Sequence, residues 1–176
     1  GDRIQDRRLL EVGGKALFTK EIEEALLDGR VDIAIHSMKD VPAEQPDGLA
    51  IAAVPEREDA RDGFISEQFA TFVDLPQGAR LGTASLRRQA QALALRPDLQ
   101  IEMLRGNVDT RLRRLAEGEF DAIFLATSGL NRLGRSEVIR ERLSLDQFLP
   151  APGQGALAIQ TREADVGSDL HAPWIA

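Results

Sequence analysis

The sequence of 176 residues contains no cysteine, only two histidines, no tyrosine and a single tryptophan. Without cysteine the chain can form neither a disulfide nor a thiolate metal site, and two histidines supply too few ligands for a zinc centre. The absence of tyrosine, the single tryptophan and the net charge of −7 are unfavourable for binding single-stranded nucleic acid. We therefore expect no bound metal and no nucleic-acid partner.

Long apolar runs and targeting patterns are also missing. No hydrophobic stretch approaches the length of a membrane span, and no signal-peptide pattern opens the chain. We expect a cytoplasmic protein without a membrane partner. The turn at Gly13, Gly14 and Lys15 lacks the spacing of a phosphate-binding P-loop. Because the sequence starts at Gly1 without methionine, we expect it to be a fragment.

What the chain does contain is arginine, concentrated in one place. The arginine-rich segment, residues 80–114, holds eight arginines and three acidic residues, a local charge of +5 in a chain of net charge −7. The rest of the chain would repel an anion, so this segment predicts an anionic ligand. A content of 43% hydrophobic residues is enough for a packed core.

The arginines fall at the ends of predicted strands. The segment predicts strands at 80–84 and 100–104, each followed by a helix, at 85–95 and 108–117. The residues in or next to the two strand-to-helix turns are Thr83, Ser85, Arg87, Arg88, Arg105 and Arg111. Helix amino-termini offer unpaired N–H groups there, and guanidinium groups bind carboxylate or phosphate in a bidentate manner. A simpler interpretation, that these are solvated helix arginines, applies best to Arg96, Arg113 and Arg114.

The remaining patterns predict an α/β fold in two lobes. We expect a helix over 19–28 capped by Thr19, and a helix beginning at 130. Further strands are predicted at 31–35, 48–54, 63–66, 120–126 and 156–160. Alternating strands and helices in the second lobe predict a parallel sheet, and the last strand is expected to return to the first lobe. The strand at 31–35 ends in a loop that sets Lys39 beside Asp40, a cation next to a carboxylate. Residue types and spacing alone lead to an anion-binding α/β cleft, catalytic or not.

Taken in order, seven motifs resemble those of one family, porphobilinogen deaminase, also called hydroxymethylbilane synthase. They are VGGKALFTKE (12–21), HSMKDVP (36–42), ERED (56–59), GTASLRR (82–88), RGNVDTRL (105–112), LATSGL (125–130) and GQGA (153–156). The resemblance runs from about residue 1 to residue 162. It implies two hinged lobes like those of type II periplasmic binding proteins. The implied domains are 1–55 plus 156–176 and 61–149, with hinge segments at 56–60 and 150–155.

The resemblance also implies an activity. Members of the family deaminate porphobilinogen and join four molecules head to tail into hydroxymethylbilane, a step of haem biosynthesis. They start from a dipyrromethane cofactor bound covalently to a cysteine. The resemblance therefore implies a transferase in tetrapyrrole biosynthesis, with porphobilinogen as its small-molecule partner and a monomeric state.

Roles carry over to individual residues of this sequence. Asp40 would be catalytic, stabilising the cationic azafulvene that remains when ammonia departs. Cofactor carboxylates would be bound by Lys39, Thr83, Ser85, Arg87, Arg88, Arg105 and Arg111. Lys15 and Arg132 would help to bind substrate.

The chain departs from the family pattern in several places. The segment before Gly1 and the third, α+β domain with the cofactor cysteine are missing, so this chain alone is expected to be inactive. Ala84 stands where serine or threonine is usual, and Pro152 precedes the Gly-Gln-Gly motif. The alternative function is a non-catalytic module that binds polycarboxylates. Asp40 distinguishes the two, because a carboxylate is of no use to a receptor for anions.

Overall fold

The structure of the protein is a computed structural model that describes residues 16–167. Its helices are α1 (Ala16–Leu27), α2 (Leu86–Leu95), α3 (Val108–Ala116) and α4 (Thr127–Arg132). Its strands are β1 (Ala34–Ser37), β2 (Leu49–Ala53), β3 (Asp62–Ile65), β4 (Arg80–Gly82), β5 (Gln100–Glu102), β6 (Ala122–Ala126), β7 (Glu141–Arg142) and β8 (Leu157–Arg162). Within this range no helix combines the length and the apolar character needed to cross a bilayer.

Two compact units make up the described chain. The large unit is Asp59–Gly155, and the small unit comprises residues 16–58 and 156–167. Each unit has its own sheet and its own buried core. That the segments 56–60 and 150–155 act as hinges stays a prediction.

The small unit is built on a three-stranded sheet in the order β1-β8-β2. Strand β8 lies in the centre and runs antiparallel to both neighbours, with Ala34 opposite Gln160 and Leu49 opposite Arg162. Helix α1 contributes Leu26, which is fully buried with Ala34 and Leu49. The last strand of the described chain therefore joins the first two, as the sequence predicted.

The large unit contains a five-stranded sheet in the order β5-β4-β6-β3-β7. Strands β5, β4 and β6 are parallel, and helices connect them in the predicted alternation. The prediction of a parallel sheet is wrong for β3, which runs antiparallel to both of its neighbours, β6 and β7. Strand β3 is joined to β4 by residues 66–79, which contain only a 3-10 turn at Phe72–Asp74. Without a crossover helix, the connection does not impose a parallel direction.

Burial on both faces explains the apolar sequences of β3 and β6. Successive residues of a strand point to opposite faces, so Phe64 and Phe124 belong to one buried cluster, whereas Ile65 and Ile123 belong to the other. Phe124 packs edge-on against Phe148, with ring centroids 5.0 Å apart. The turn with Arg87 and Arg88 follows β4, which lies inside the sheet, whereas the turn with Arg105 follows the edge strand β5.

Two predicted boundaries in the small unit are wrong. Thr19 does not cap α1, because the helix already includes Ala16 and Thr19 lies buried within it. The strand predicted from residue 31 begins only at Ala34. The guanidinium of Arg162 donates to the carbonyl oxygen of Val31 at 2.9 Å and to the carboxylate of Asp32 at 3.1 Å. These side-chain contacts hold residues 31 and 32 in place of ladder hydrogen bonds.

Candidate functional site

The turn between β4 and α2 is fixed by two of the predicted site residues. Thr83 Oγ1 accepts a hydrogen bond from the backbone N–H of Ser85 at 3.2 Å. Ser85 Oγ accepts from the backbone N–H of Arg88 at 3.4 Å, which makes Ser85 the N-cap of α2. The hydroxyl groups of Thr83 and Ser85 thus shape the turn that presents Arg87 and Arg88.

The turn between β5 and α3 is shaped by glycine and asparagine. Gly106 has φ +109°, a conformation that favours glycine, and a Cβ there would lie 2.8 Å from Cγ2 of Thr110. Asn107 caps α3 by accepting from the backbone N–H of Thr110 at 2.9 Å. This turn carries Arg105 on one side and Arg111 on the other.

Arg87 and Arg88 share one buried carboxylate, that of Asp62 at the start of β3. Arg87 Nη2 lies 2.7 Å from Asp62 Oδ2, and Arg88 Nη2 lies 2.7 Å from Asp62 Oδ1. Arg88 also donates to the carbonyl oxygen of Phe124 at 3.1 Å. The Arg88 side chain is only 8% exposed, whereas that of Arg87 is 23% exposed. Arg87 is therefore the more accessible of the two to a ligand.

Electrostatics keeps Asp62 ionised. Its complete burial acts to raise the pKa of the carboxyl, but the charges of Arg88 and Arg87, with hydrogen bonds from Arg88 and Gln154, outweigh burial. The net result is a pKa below the ordinary value of an aspartate. Two guanidinium groups facing one carboxylate leave one positive charge that Asp62 does not neutralise.

Arg105 and Arg111 stand apart from the other arginines of the segment. Six of the eight arginines at 80–114 have a carboxylate within 4.0 Å. Among residues 16–167 no carboxylate lies that close to Arg105 or Arg111, which are both partly buried. Arg111 Nε donates only to the backbone oxygen of Gly106, at 2.8 Å. These two cations are placed at strand ends without an acidic partner in the described chain.

The environment of Arg111 is unfavourable for its charge. Burial, and then the nearby charge of Arg88, lower the pKa of the Arg111 guanidinium from its ordinary value. An arginine that is both desolvated and next to another cation is stabilised by a bound anion. By contrast, Arg96, Arg113 and Arg114 pair with Asp98, Glu117 and Glu119, which suits the simpler interpretation given to them from the sequence.

Arg132, a predicted substrate ligand, ends α4 in the large unit. Its side chain is exposed, and Nη2 donates to the carbonyl oxygen of Gly155 at 2.6 Å. Lys15, the other predicted substrate ligand, lies outside the described residues.

Lys39 and Asp40 belong to the small unit, where they lie half-buried in the 3-10 turn that follows β1. A chain of side-chain hydrogen bonds supports the surrounding loop. Buried His36 bonds through Nε2 to Gln160 Oε1 at 3.0 Å, and Gln160 Nε2 donates to Gln45 Oε1 at 2.8 Å. Gln45 Nε2 then donates to the carbonyl oxygen of Pro42 at 2.9 Å. His36 thus serves to hold this loop.

Sequence reasoning missed Asp62 and Gln154. Gln154 Nε2 donates to Asp62 Oδ1 at 2.9 Å and to the carbonyl oxygen of Ala60 at 2.7 Å, and it is 1% exposed. The strand predicted at 63–66 excludes Asp62, whereas β3 begins at this residue. One signal was available, since Asp62 directly precedes the apolar residues of β3 and a carboxylate there needs a buried partner.

Comparison with known proteins defines first the fold and then the family. The methionine-binding protein MetQ superposes with a TM-score of 0.57 at 14% identity, covering 86% of this chain and 71% of that protein. A nutrient-binding protein from Burkholderia cenocepacia bound to methionine gives a TM-score of 0.55 at 18% identity. This superposition covers 87% of this chain and 71% of that protein. The fold is therefore the α/β fold of periplasmic binding proteins, as predicted.

The family follows from sequence similarity. Residues 1–169 match the model described as "Porphobilinogen deaminase, dipyromethane cofactor binding domain". Proteins named porphobilinogen deaminase are 68% identical over 175 residues in Caulobacter vibrioides (strain NA1000 / CB15N), 64% over 174 in Phenylobacterium zucineum (strain HLK1) and 62% over 163 in Nitratidesulfovibrio vulgaris (strain DP4). The alignments cover 99%, 99% and 93% of this chain and 53%, 53% and 52% of those proteins. The chain belongs to the porphobilinogen deaminase family, confirming the resemblance, and spans about half the length of these relatives.

The cofactor of the matching domain is dipyrromethane, as the family description states. The residues present fit such a group, because Arg105 and Arg111 supply positive charge that no described carboxylate neutralises. The attachment cysteine that the resemblance implies is not in this chain, which has no cysteine.

Proposed function

We propose that the full-length protein containing this chain is hydroxymethylbilane synthase, which deaminates porphobilinogen and joins four molecules head to tail. The observation that supports this most directly is the pair of partly buried arginines, Arg105 and Arg111, that have no carboxylate partner in the described chain. A substrate and a growing product that carry several carboxylates supply the missing negative charge.

The large unit binds and orients carboxylates in this proposal. Arg87, Arg105 and Arg111 donate to them, Arg88 supports this cationic group, and Thr83 and Ser85 fix the turn. Because hydrogen bonds to Asp62 hold Arg87 and Arg88, and one to Gly106 holds Arg111, these guanidinium groups need little reorganisation when an anion binds. Bound dipyrromethane supplies the pyrrole ring to which the first substrate ring is joined.

The small unit contributes Asp40. When porphobilinogen loses ammonia, positive charge develops on its pyrrole ring, and a carboxylate close to the ring nitrogen stabilises that charge. The new carbon–carbon bond then forms at a ring carbon that loses its proton, so a carboxylate can also accept that proton. Lys39 beside Asp40 binds a substrate or cofactor carboxylate, as Lys15 and Arg132 do.

The proposal extends to the setting of the enzyme. We place it in the cytoplasm as a monomer whose partner is porphobilinogen, and we assign it no nucleic-acid, membrane or metal partner. Its net charge of −7 supports the absence of a nucleic-acid partner, because phosphate backbones would be repelled by most of its surface. The identities of 62–68% to proteins named porphobilinogen deaminase favour the enzyme over the polycarboxylate-binding module.

Substitution of the unpaired arginines tests the proposal. In the full-length protein, Arg105→Gln and Arg111→Gln should each lower kcat/KM for porphobilinogen by a factor of roughly 10 to 100, because a charge-assisted hydrogen bond contributes about 1.5–3 kcal/mol. Arg113→Gln is the matched control, since Arg113 lies on the same helix but is exposed and paired with Glu117 at 2.7 Å. If all three variants retained the wild-type kcat/KM, the assignment of Arg105 and Arg111 would be wrong.

A further inference from the structure

Among residues 16–167, Asp62 is the only carboxylate that is fully buried. It receives hydrogen bonds from Arg87, Arg88 and Gln154. Oδ1 accepts from Arg88 Nη2 at 2.7 Å, Arg88 Nε at 3.1 Å and Gln154 Nε2 at 2.9 Å, whereas Oδ2 accepts from Arg87 Nη2 at 2.7 Å. Because the Asp62 carboxylate is completely buried, it cannot contact a ligand directly.

The same contacts fix where the two guanidinium groups point. Arg88 is held on two sides, by Asp62 and by the carbonyl oxygen of Phe124. Arg87 is held by Asp62 and by the carbonyl oxygen of Leu149. A guanidinium has five N–H donors, so Arg87 keeps donors that are not used by these two acceptors. Its side chain is 23% exposed, which leaves them accessible.

Charge and position together point to a role for Asp62. It neutralises one of two positive charges and leaves the other, so the two arginines can lie close together without losing their attraction for an anion. Gln154 links the carboxylate to the backbone, because its Nε2 donates both to Asp62 Oδ1 and to the carbonyl oxygen of Ala60.

We propose that Asp62 is a positioning residue, which holds Arg87 and Arg88 in the orientation that binds ligand carboxylates, and that Gln154 orients Asp62. The proposal rests on the function proposed above for the arginines. Asp62→Asn keeps the shape of the side chain but turns one acceptor atom into an N–H donor. If the asparagine keeps its oxygen toward Arg88 and Gln154, its new N–H donor faces Arg87. Arg87 then loses the acceptor that fixes its orientation.

The test measures binding without turnover. Benzene-1,2,4,5-tetracarboxylate is titrated by calorimetry into the full-length wild-type protein and its variants, with circular dichroism confirming that each is folded. Asp62→Asn should raise the dissociation constant at least tenfold. The matched control is Asp98→Asn, because Asp98 also accepts two hydrogen bonds from one arginine, Arg96, but lies outside the two strand-to-helix turns. Its dissociation constant should stay within twofold of wild type.

A double substitution separates positioning from a general structural role. If Asp62 acts through Arg87, then Asp62→Asn should weaken binding by less than twofold when Arg87→Gln is already present. Full additivity of the two effects, or unchanged binding in Asp62→Asn, would overturn the proposal. Should Asp62→Asn fail to fold, Gln154→Met carries the test. It should raise the dissociation constant about threefold, and an unchanged value would overturn the proposal as well.

Covalent loading tells this proposal apart from the proposed function. The mass of the cofactor-free protein is followed after addition of porphobilinogen. If wild type binds the tetracarboxylate but never gains mass, the deaminase assignment fails and the positioning role stands. If wild type gains mass and the Asp62→Asn variant loads at the same half-saturating porphobilinogen concentration, the positioning role fails and the deaminase assignment stands.

Discussion

Removal of Asp62 should destabilise the protein more than removal of either arginine that it binds. Breaking a buried ion pair leaves an uncompensated charge and costs about 3–5 kcal/mol. Arg88→Met leaves Asp62 with Arg87 and Gln154, at 2.7 and 2.9 Å, so we expect the lower end of that range. Asp62→Ala leaves two guanidinium groups facing each other, and we expect the upper end, about 4–5 kcal/mol. Since a domain is typically stable by about 5–15 kcal/mol, this loss is severe.

Urea unfolding of the full-length protein at pH 7 measures these differences through the midpoint, provided that the slope of the transition is unchanged. The double variant Asp62→Leu with Arg88→Met should recover part of the loss, because an apolar pair removes the buried charge of both partners. Asp98→Ala is the control, since the Arg96–Asp98 pair is more exposed than the pair formed by Arg88 and Asp62. Equal midpoints for Asp62→Ala and Asp98→Ala would refute the reasoning.

The pKa of Asp62 adds a pH dependence to the same experiment. Its pKa is lower in the folded protein than the ordinary value of 3.8, so the folded state favours the ionised carboxylate. The resulting stabilisation is present above the ordinary pKa and is lost as the pH falls through the lower, folded value. The difference in stability between wild type and Asp62→Asn should therefore be constant near neutrality and shrink below about pH 4. A difference that grew on acidification would contradict this account.

Two further predictions concern the small unit and the second turn. Asp40→Asn should reduce turnover of porphobilinogen roughly 100- to 1,000-fold, the usual effect of removing a group that stabilises charge in the transition state. It should leave the affinity for the tetracarboxylate within twofold of wild type, and retained turnover would exclude Asp40 from the chemistry. Gly106→Ala should cost about 1–3 kcal/mol, because φ is +109° and the new Cβ would lie 2.8 Å from Cγ2 of Thr110. Gly118→Ala is its control, at φ +78° with no atom within 4 Å of the new Cβ, and an equal midpoint for the two in urea would contradict the steric argument.

The local elements around the arginines could be predicted from the sequence because short-range chemistry determines them. Ser85 caps α2 and Asn107 caps α3, so both helices begin within one residue of the predicted position. The parallel arrangement of β4, β5 and β6 followed from their alternation with helices. The arginines that follow these strands therefore lie at the predicted turns.

Long-range partners could not be predicted in the same way. The contact between Asp62 and Arg88 joins residues 26 positions apart, and that between Asp62 and Gln154 joins residues 92 positions apart. No local pattern records such pairs. For the same reason the sequence could not separate Arg105 and Arg111 from arginines that have an acidic partner. The direction of β3 was also beyond local reasoning, since it depends on pairing with β6.

The intact mass of the full-length protein, before and after addition of porphobilinogen, tests the central claim most directly. The account predicts a covalent excess equal to dipyrromethane, which then grows by one pyrrole ring at a time until product is released. An unmodified mass that stays constant with porphobilinogen would contradict it and would leave the arginines of residues 80–114 as a carboxylate-binding site without chemistry.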